Sequence, residues 1–500
     1  MNKSRQMIRR MLLAGMLGLA AIAAGADTGV EQLRQGRELL RRAVEAVGGP
    51  PALADIRSLS FRAEGETHNP YQGLSAARIH DPERDGAITF TNSFDYAGGR
   101  FRQDTVQNLH GGLLLRFGTL VAGGRIHNIS FAEQLVRTQP APPRNPAGAI
   151  IDVPSRWLPP ILLQRAVENL TSVRALPDAP VGDEPAHRFA FSWDPATRIE
   201  VALSARDGRV LESRWPAPDV LVGDDELVVR YEGRQEAAGW PLPEGIRILR
   251  RGLTVMQLKL LDVRKNSALD EALFAPPPDF AQQQLAVEPP IVEIRPGIFE
   301  VRELGGGTYR SQIIVRDADV VVFEPLGPGL APRVLAAARK IAGDKPISRV
   351  VVSHFHADHA GGLGVFARAG IAAIAPAGQR EVLESFARSA WSGAGLTPPP
   401  QPASVIIEEV RERTTLRAPD RPLAVYNLAP NPHVEGLLVL YDARTCTLFD
   451  ADLFSLYSPF NETFQSLLDW VEKSGLKIDF VVGTHHDPIA YQDLRKLAAG

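Results

Sequence analysis

Hydrophobic spacing along the chain changes period several times, and each change predicts a different element. Leu33, Leu40, Val44 and Val47 fall on one face at helical spacing, so a helix is expected over 31–47. Gly48-Gly49-Pro50 ends it, because two glycines and a proline cannot continue the turn. The period then drops to two. Leu59, Phe61 and Ala63 alternate with polar residues, as do Phe189, Phe191 and Trp193, then Ile199, Val201 and Leu203, and then the run from Val228 to Tyr231. Asp194-Pro195 and Asp207-Gly208 separate these runs as turns, which predicts antiparallel hairpins. The expectation for 27–275 is a mostly antiparallel β-sheet domain with one or two helices.

A proline-rich and then glutamine-rich stretch follows, from Ala275-Pro276-Pro277-Pro278 through Gln282-Gln283-Gln284 to Pro289-Pro290. It reads as a linker over 276–290. Strands resume at 291–293 and 298–301. An apolar strand at 350–352, a helix over 363–369, a strand at 371–374 and a helix over 379–391 come next. This order is α/β and fits an αββα sandwich over 291–500, with helices outside two packed sheets.

Composition narrows the setting. A chain of 500 residues suggests two to three domains. A net charge of −3 without a basic stripe argues against nucleic acid as a partner. Lys3, Arg5, Arg9 and Arg10 precede an apolar run over 11–23 and the small residues Ala24-Gly25-Ala26, which has the form of a signal peptide over 1–26. Arg9-Arg10 leaves both the general and the twin-arginine export routes open, although Ile8 stands where the twin-arginine pattern favours a small hydroxyl residue. The apolar run is short of the ~20 residues that span a bilayer, so no stable membrane anchor is expected after cleavage. A periplasmic or secreted location follows. The single cysteine, Cys446, excludes an internal disulfide and reads as a small core residue.

The chemistry concentrates in Ser353-His354-Phe355-His356-Ala357-Asp358-His359-Ala360-Gly361-Gly362, directly after the apolar strand. A strand that stops there presents His354 and His356 to the same side, with Asp358 and His359 one step further round. Side chains of this type held so close leave buried nitrogens unsatisfied unless a metal coordinates them. The histidine distribution agrees. Of 11 histidines, the six from residue 290 onward all lie in three short segments, around His354, around His433 and at His485-His486. His68, His80, His110, His127 and His187 are scattered and read as surface or locally bonded residues.

The His-x-His-x-Asp-His motif with its Gly-Gly resembles the signature of the metallo-β-lactamase-fold hydrolases. The resemblance implies further site residues in a fixed order. Pro432-His433-Val434 ahead of Leu437–Leu440, Asp452 within the hairpin segment 447–454, and His485 after the strand segment 480–484 match that order. By the resemblance, His354, His356 and His433 would hold one Zn2+, Asp358, His359 and His485 a second, and Asp452 would bridge both. His486 is the neighbour that competes with His485 for the last place. Two zinc ions roughly 3.5–4 Å apart supply a metal-bound hydroxide at neutral pH. Asp358 is then the catalytic residue expected to orient the water and pass its proton. The family usually has aspartate where Glu324 stands here, in a supporting role behind the ligands. Asn431-Pro432 before His433 is a second departure, and the proline stiffens the ligand turn. Loops at 304–309 and 392–402 are the expected substrate walls, with Tyr309, Trp391 and Tyr457 as aromatic candidates for substrate contact.

The segment before the linker carries none of this chemistry. Its opening helix, Gly239-Trp240-Pro241-Leu242-Pro243 and its closing Asn266, Leu269 and Leu273-Phe274 weakly resemble lipoprotein-carrier-like domains. Such a sheet can bind an apolar ligand, or it can serve only to pack and position. The expectation for the whole chain is an exported zinc-dependent hydrolase acting on a small-molecule ester, lactone, thioester or amide carbonyl, β-lactams included. An iron-dependent oxidoreductase of the sulfur-dioxygenase kind and a non-catalytic carrier of an apolar ligand are the alternatives. The ligand set is common to many chemistries and selects no substrate.

Overall fold

A computed structural model of the chain describes residues 29–141, 152–389, 404–455 and 461–499. The expected signal peptide, the loop at 392–402, Trp391 and Tyr457 lie outside the described residues. Among the described residues no helix is long and apolar enough to cross a membrane.

The chain divides into two compact units that do not follow chain order. One comprises the residues up to Ile56, Asp152–Pro216 and Glu226–Ile246. Its first helix runs over 29–46 and turns Leu40, Ala43 and Val44 inward. The helix stops where Gly48 and Gly49 take φ values of 106° and 79°, which side chains with a Cβ rarely adopt. Five strands, Arg174–Leu176, Ala186–Ser192, Arg198–Ser204, Val210–Pro216 and Glu226–Glu232, form an antiparallel meander with a second helix at Pro159–Glu168. Their phenylalanines and Trp193 are buried as the alternation predicts. Arg156 lies between the Trp193 and Trp215 rings, 4.7 and 4.8 Å from their centres, where cation–π attraction and packing offset its desolvation.

The other unit joins Arg57–Ile151, Ala217–Asp225 and Arg247–Gly500. Its early strands, Ser58–Thr67, Gly86–Asp95, Arg100–Leu109, Leu114–Ala122, Arg125–Ser130 and Leu135–Pro140, pair antiparallel in sequence, and Leu253–Lys265 closes on the first of them. The stretch read as a linker contributes a strand of its own. Ala281–Gln284 runs parallel to Leu135–Pro140, since glutamine side chains do not prevent the backbone from pairing.

From Ile291 onward the expected sandwich is present. Its first sheet has seven strands in chain order: Ile291–Arg295, Ile298–Leu304, Tyr309–Val315, Val320–Phe323, Ile347–Val351, Ala372–Pro376 and Ile407–Val410, the last four parallel. The second has six, from Arg413–Leu416 to Ile489–Ala490. Phe323, Val351 and Ile374 of one sheet pack on Val425, Leu440 and Phe449 of the other. Helices Ala331–Ala342, Leu363–Arg368, Arg380–Arg388 and Glu462–Ser474 bury their apolar sides on the outer faces. Cys446 departs from its expected core place. It sits at φ 49° in the tight turn between Leu437–Asp442 and Thr447–Asp450, half-buried, because the hairpin is short enough to put that residue at its tip.

Candidate metal centre

Parallel pairing brings chain ends together. Val320–Phe323 and Ile347–Val351 run side by side, so Glu324 and the segment Ser353–His359 emerge at the same edge of the first sheet. In the second sheet Thr447–Asp450 is parallel to Phe480–Gly483, which delivers Asp452 and His485 to one end. Leu437–Asp442 runs antiparallel to Thr447–Asp450, so the turn before it, with His433, opens at that end as well.

The side chains converge in two groups. His354, His356, His433 and Asp452 form one and Asp358, His359 and His485 the other, each with ligand-type atoms within 4.8 Å of one another. Asp452 faces both. Its Oδ2 stands 2.9 Å from His433 Nε2 and 3.6 Å from His354 Nε2, and its Oδ1 is 3.0 Å from the Nε2 of both His359 and His485. His486 turns away into the core, with its Nδ1 on the Asp487 carbonyl and its Nε2 3.7 Å from Asp450.

Outer hydrogen bonds select which nitrogen each ring presents. His354 Nδ1 bonds Ser353 Oγ at 2.8 Å, His356 Nε2 donates to the Gly73 carbonyl at 2.9 Å, His359 Nδ1 meets Glu324 Oε2 at 2.5 Å, and His485 Nδ1 donates to the Thr308 carbonyl at 3.1 Å. That leaves His354 Nε2, His356 Nδ1, His359 Nε2 and His485 Nε2 pointing inward. The buried His354 Nε2, His356 Nδ1, His433 Nε2 and Asp452 Oδ1 make no hydrogen bond among the described residues. Buried nitrogen and oxygen atoms that approach one another closely without bonding fit a cation placed among them.

Glu324 fills the place left open by its unusual length. Its Oε1 accepts from the Ser353 backbone N–H at 2.7 Å while its Oε2 holds His359, and its own backbone takes φ 72° to aim it. A positive φ at a residue with a Cβ is strained, and here it sits at the ligand loop.

Electrostatics split the two groups. Burial, aided by the neighbouring rings, holds His354 well below the usual imidazole range and takes His356 down to about 3. At His359 burial acts the same way, but Asp452, Asp358 and Glu324 outweigh it and raise the ring well above that range. Asp452 is the mirror case. Burial would raise its carboxyl, and the charges of His359 and His485 carry it well below the usual carboxylate value. Asp358 is lowered by the same contest, mainly through His359.

The early strands, expected to lack this chemistry, reach the centre. The turn after Ser58–Thr67 lays Gln72 Nε2 on Asp358 Oδ1 at 2.6 Å, and it gives the carbonyls of Tyr71, Gly73 and Leu74 to Ala357, His356 and Glu435. His110 is a correction to the reading of scattered surface histidines: its Nε2 donates to the His433 carbonyl at 2.6 Å. Neither residue carries a local signal, because the contacts cross 286 and 323 positions of chain. Tyr309 stands in the site, its hydroxyl donating to Asp358 Oδ2 at 3.0 Å and its ring 4.8 Å from that of His485.

The family model of the metallo-beta-lactamase superfamily matches residues 305–485. Among curated proteins none matches. Solved structures that resemble the chain include the stereoselective inverting sec-alkylsulfatase Pisa1 from Pseudomonas sp., with 18% identity, a TM-score of 0.33, and coverage of 42% of this chain and 40% of that one. A metallo-beta-lactamase from Pontibacter korlensis has 15% identity, a TM-score of 0.33, and coverage of 42% and 97%. FIM-1 from Pseudomonas aeruginosa, in a mono-zinc form, has 16% identity, a TM-score of 0.33, and coverage of 43% and 94%. The chain thus spans well under half the length of the alkylsulfatase. With the motif match and the two packed sheets between helices, residues 305–485 form a domain of the metallo-beta-lactamase superfamily.

Proposed function

We propose that the protein is an exported, zinc-dependent hydrolase of carbonyl substrates, acting in the periplasm or outside the cell. The observation that carries the reading is the pair of inward-facing donor groups that share Asp452. His354, His356 and His433 would hold one ion, Asp358, His359 and His485 the other, and Asp452 would lie between them. When bound, two such ions act as Lewis acids and supply a nucleophile at neutral pH. The substrate classes are ester, lactone, thioester and amide, β-lactams among them. In each, the carbonyl carbon takes the OH of water, its bond to oxygen, sulfur or nitrogen breaks, and the leaving group takes the remaining proton.

The chain's own residues do the positioning. Asp358 is kept ionised, so it can accept a proton from water and pass it on. Gln72 and Tyr309 fix the direction of that carboxylate by donating to its two oxygens. Glu324 and the Thr308 carbonyl hold the rings of the second group, Ser353 and the Gly73 carbonyl hold the His354 and His356 rings of the first, and His110 bonds the backbone carbonyl of His433.

Metal analysis of the purified full-length protein, together with a panel of ester, lactone, thioester and β-lactam substrates with and without chelator, tests this. Two zinc equivalents and chelator-sensitive hydrolysis are expected. One iron and no zinc, or His356→Ala turning over the panel as fast as the parent, would overturn it.

A further inference from the structure

The register of the early strands sorts their side chains. Gln107 pairs with Leu115, Phe117 with Ser130, and Thr119 with Asn128. With alternation along each strand, Gln107, Leu109, Leu115, Phe117, Thr119 and Asn128 therefore share one face. The opposite face supplies Leu120, Ile129 and Val136, which are buried against Phe274. Packing accounts for that face, and on the first face it covers Val121 and Ile126 at one end. On the first face Phe117 keeps 39% of its surface exposed, and Leu109 and Leu115 are only half-buried.

This face lines a cavity of about 490 Å³ whose other wall contains His433, Asp452 and His485. The size is that of a small-molecule site, roughly 300–1,000 Å³. The turn before Tyr309 is fitted against the same strands. A Cβ at Gly306 would come within 2.6 Å of Asn128 Nδ2, and one at Gly307 within 2.3 Å of Arg137 Cδ. Asn128 Nδ2 is buried and has no hydrogen-bond partner among the described residues. Apolar side chains thus stand on one wall of the cavity and hydrolytic machinery on the other, with a donor left over on the apolar wall.

We propose that this sheet face is the substrate wall of the metal centre and selects an acyl ester or thioester with a medium-length hydrocarbon chain. The chain lies along Leu109, Leu115 and Phe117, and the Asn128 amide donates to a polar atom of the same substrate. The inference rests on the hydrolase reading for the position of the reacting carbonyl.

Its test uses the full-length zinc-loaded protein with paired acetyl and octanoyl esters of one chromogenic alcohol, and separately a fluorescent fatty-acid analogue. The parent should prefer the octanoyl ester. Phe117→Asp should raise KM for that ester about ten-fold, the scale of a lost apolar contact, raise it much less for the acetyl ester, and leave the zinc content unchanged. Val106→Asp is the control, since Val106 is 42% exposed on the opposite face of the same sheet. It should change neither ester. Equal turnover of both esters by the parent, or equal effects of Phe117→Asp on both, overturns the wall while leaving the hydrolase reading in place. If neither ester is cleaved, the analogue decides the wall by itself: binding that Phe117→Asp weakens supports it, and absence of binding overturns it.

Discussion

Gln72 donates to Asp358 at 2.6 Å, joining the first turn of the early strands to the metal loop. A hydrogen bond to an ionised carboxylate is worth about 1.5–3 kcal/mol, more than a neutral one. Gln72 lies well outside the matched segment 305–485, so the centre depends on residues that a minimal domain would omit.

Removing that donor tests the dependence. Gln72→Ala should weaken one of two metal equivalents by about 10–100-fold, the usual cost of losing a residue behind a ligand. The measurement is a competition titration against a chromogenic chelator. An unchanged isotherm would show that Asp358 needs no such support.

The two adjacent histidines separate cleanly. His485→Ala should lose one metal equivalent, because His485 Nε2 faces Asp452 and His359. His486→Ala should keep both equivalents and lower the melting temperature, since that ring is buried beside Asp450 and fills the space a Cβ at Gly483 would need. Metal content and thermal melts of the two variants decide it. The opposite pattern would reassign the ligand.

Chelation should lower stability. A ligand that binds only the folded chain stabilises it by about 2.7 kcal/mol at a concentration one hundred times its Kd. Stripped protein is expected to melt earlier, and zinc but not magnesium should restore it, given the nitrogen-rich ligand set. Equal melting with and without zinc would count against a resident ion.

Glu300 offers a pH test away from the centre. Burial raises its carboxyl above the ordinary 4.5 despite the Arg302 guanidinium at 2.5 Å. The unfolded chain therefore ionises first as pH climbs, so stability falls between 4.5 and the raised folded value and is flat above it. Glu300→Gln should be more stable than the parent at neutral pH, with the difference vanishing below pH 4.5. Denaturant melts at both pH values measure it, and a variant less stable at neutral pH would mean that the Arg302 pair outweighs burial.

By itself the sequence determined the sandwich and the order of its donors. Runs such as Val350–Val352 and Leu437–Leu440 are apolar throughout because both faces of those strands are covered, and a candidate ligand follows or precedes each by a few residues, so local spacing was enough to find them. Tertiary structure alone decided which nitrogen each ring turns inward, and it brings Asp452 between the two groups and His485, not His486, into the second, as the resemblance implied. It also decided that Gln72 and His110 bond to residues of the centre and that the face carrying Phe117 lines the same cavity as His433, Asp452 and His485. Those contacts span hundreds of positions and have no period, and a period is all that a strand can write into its own sequence.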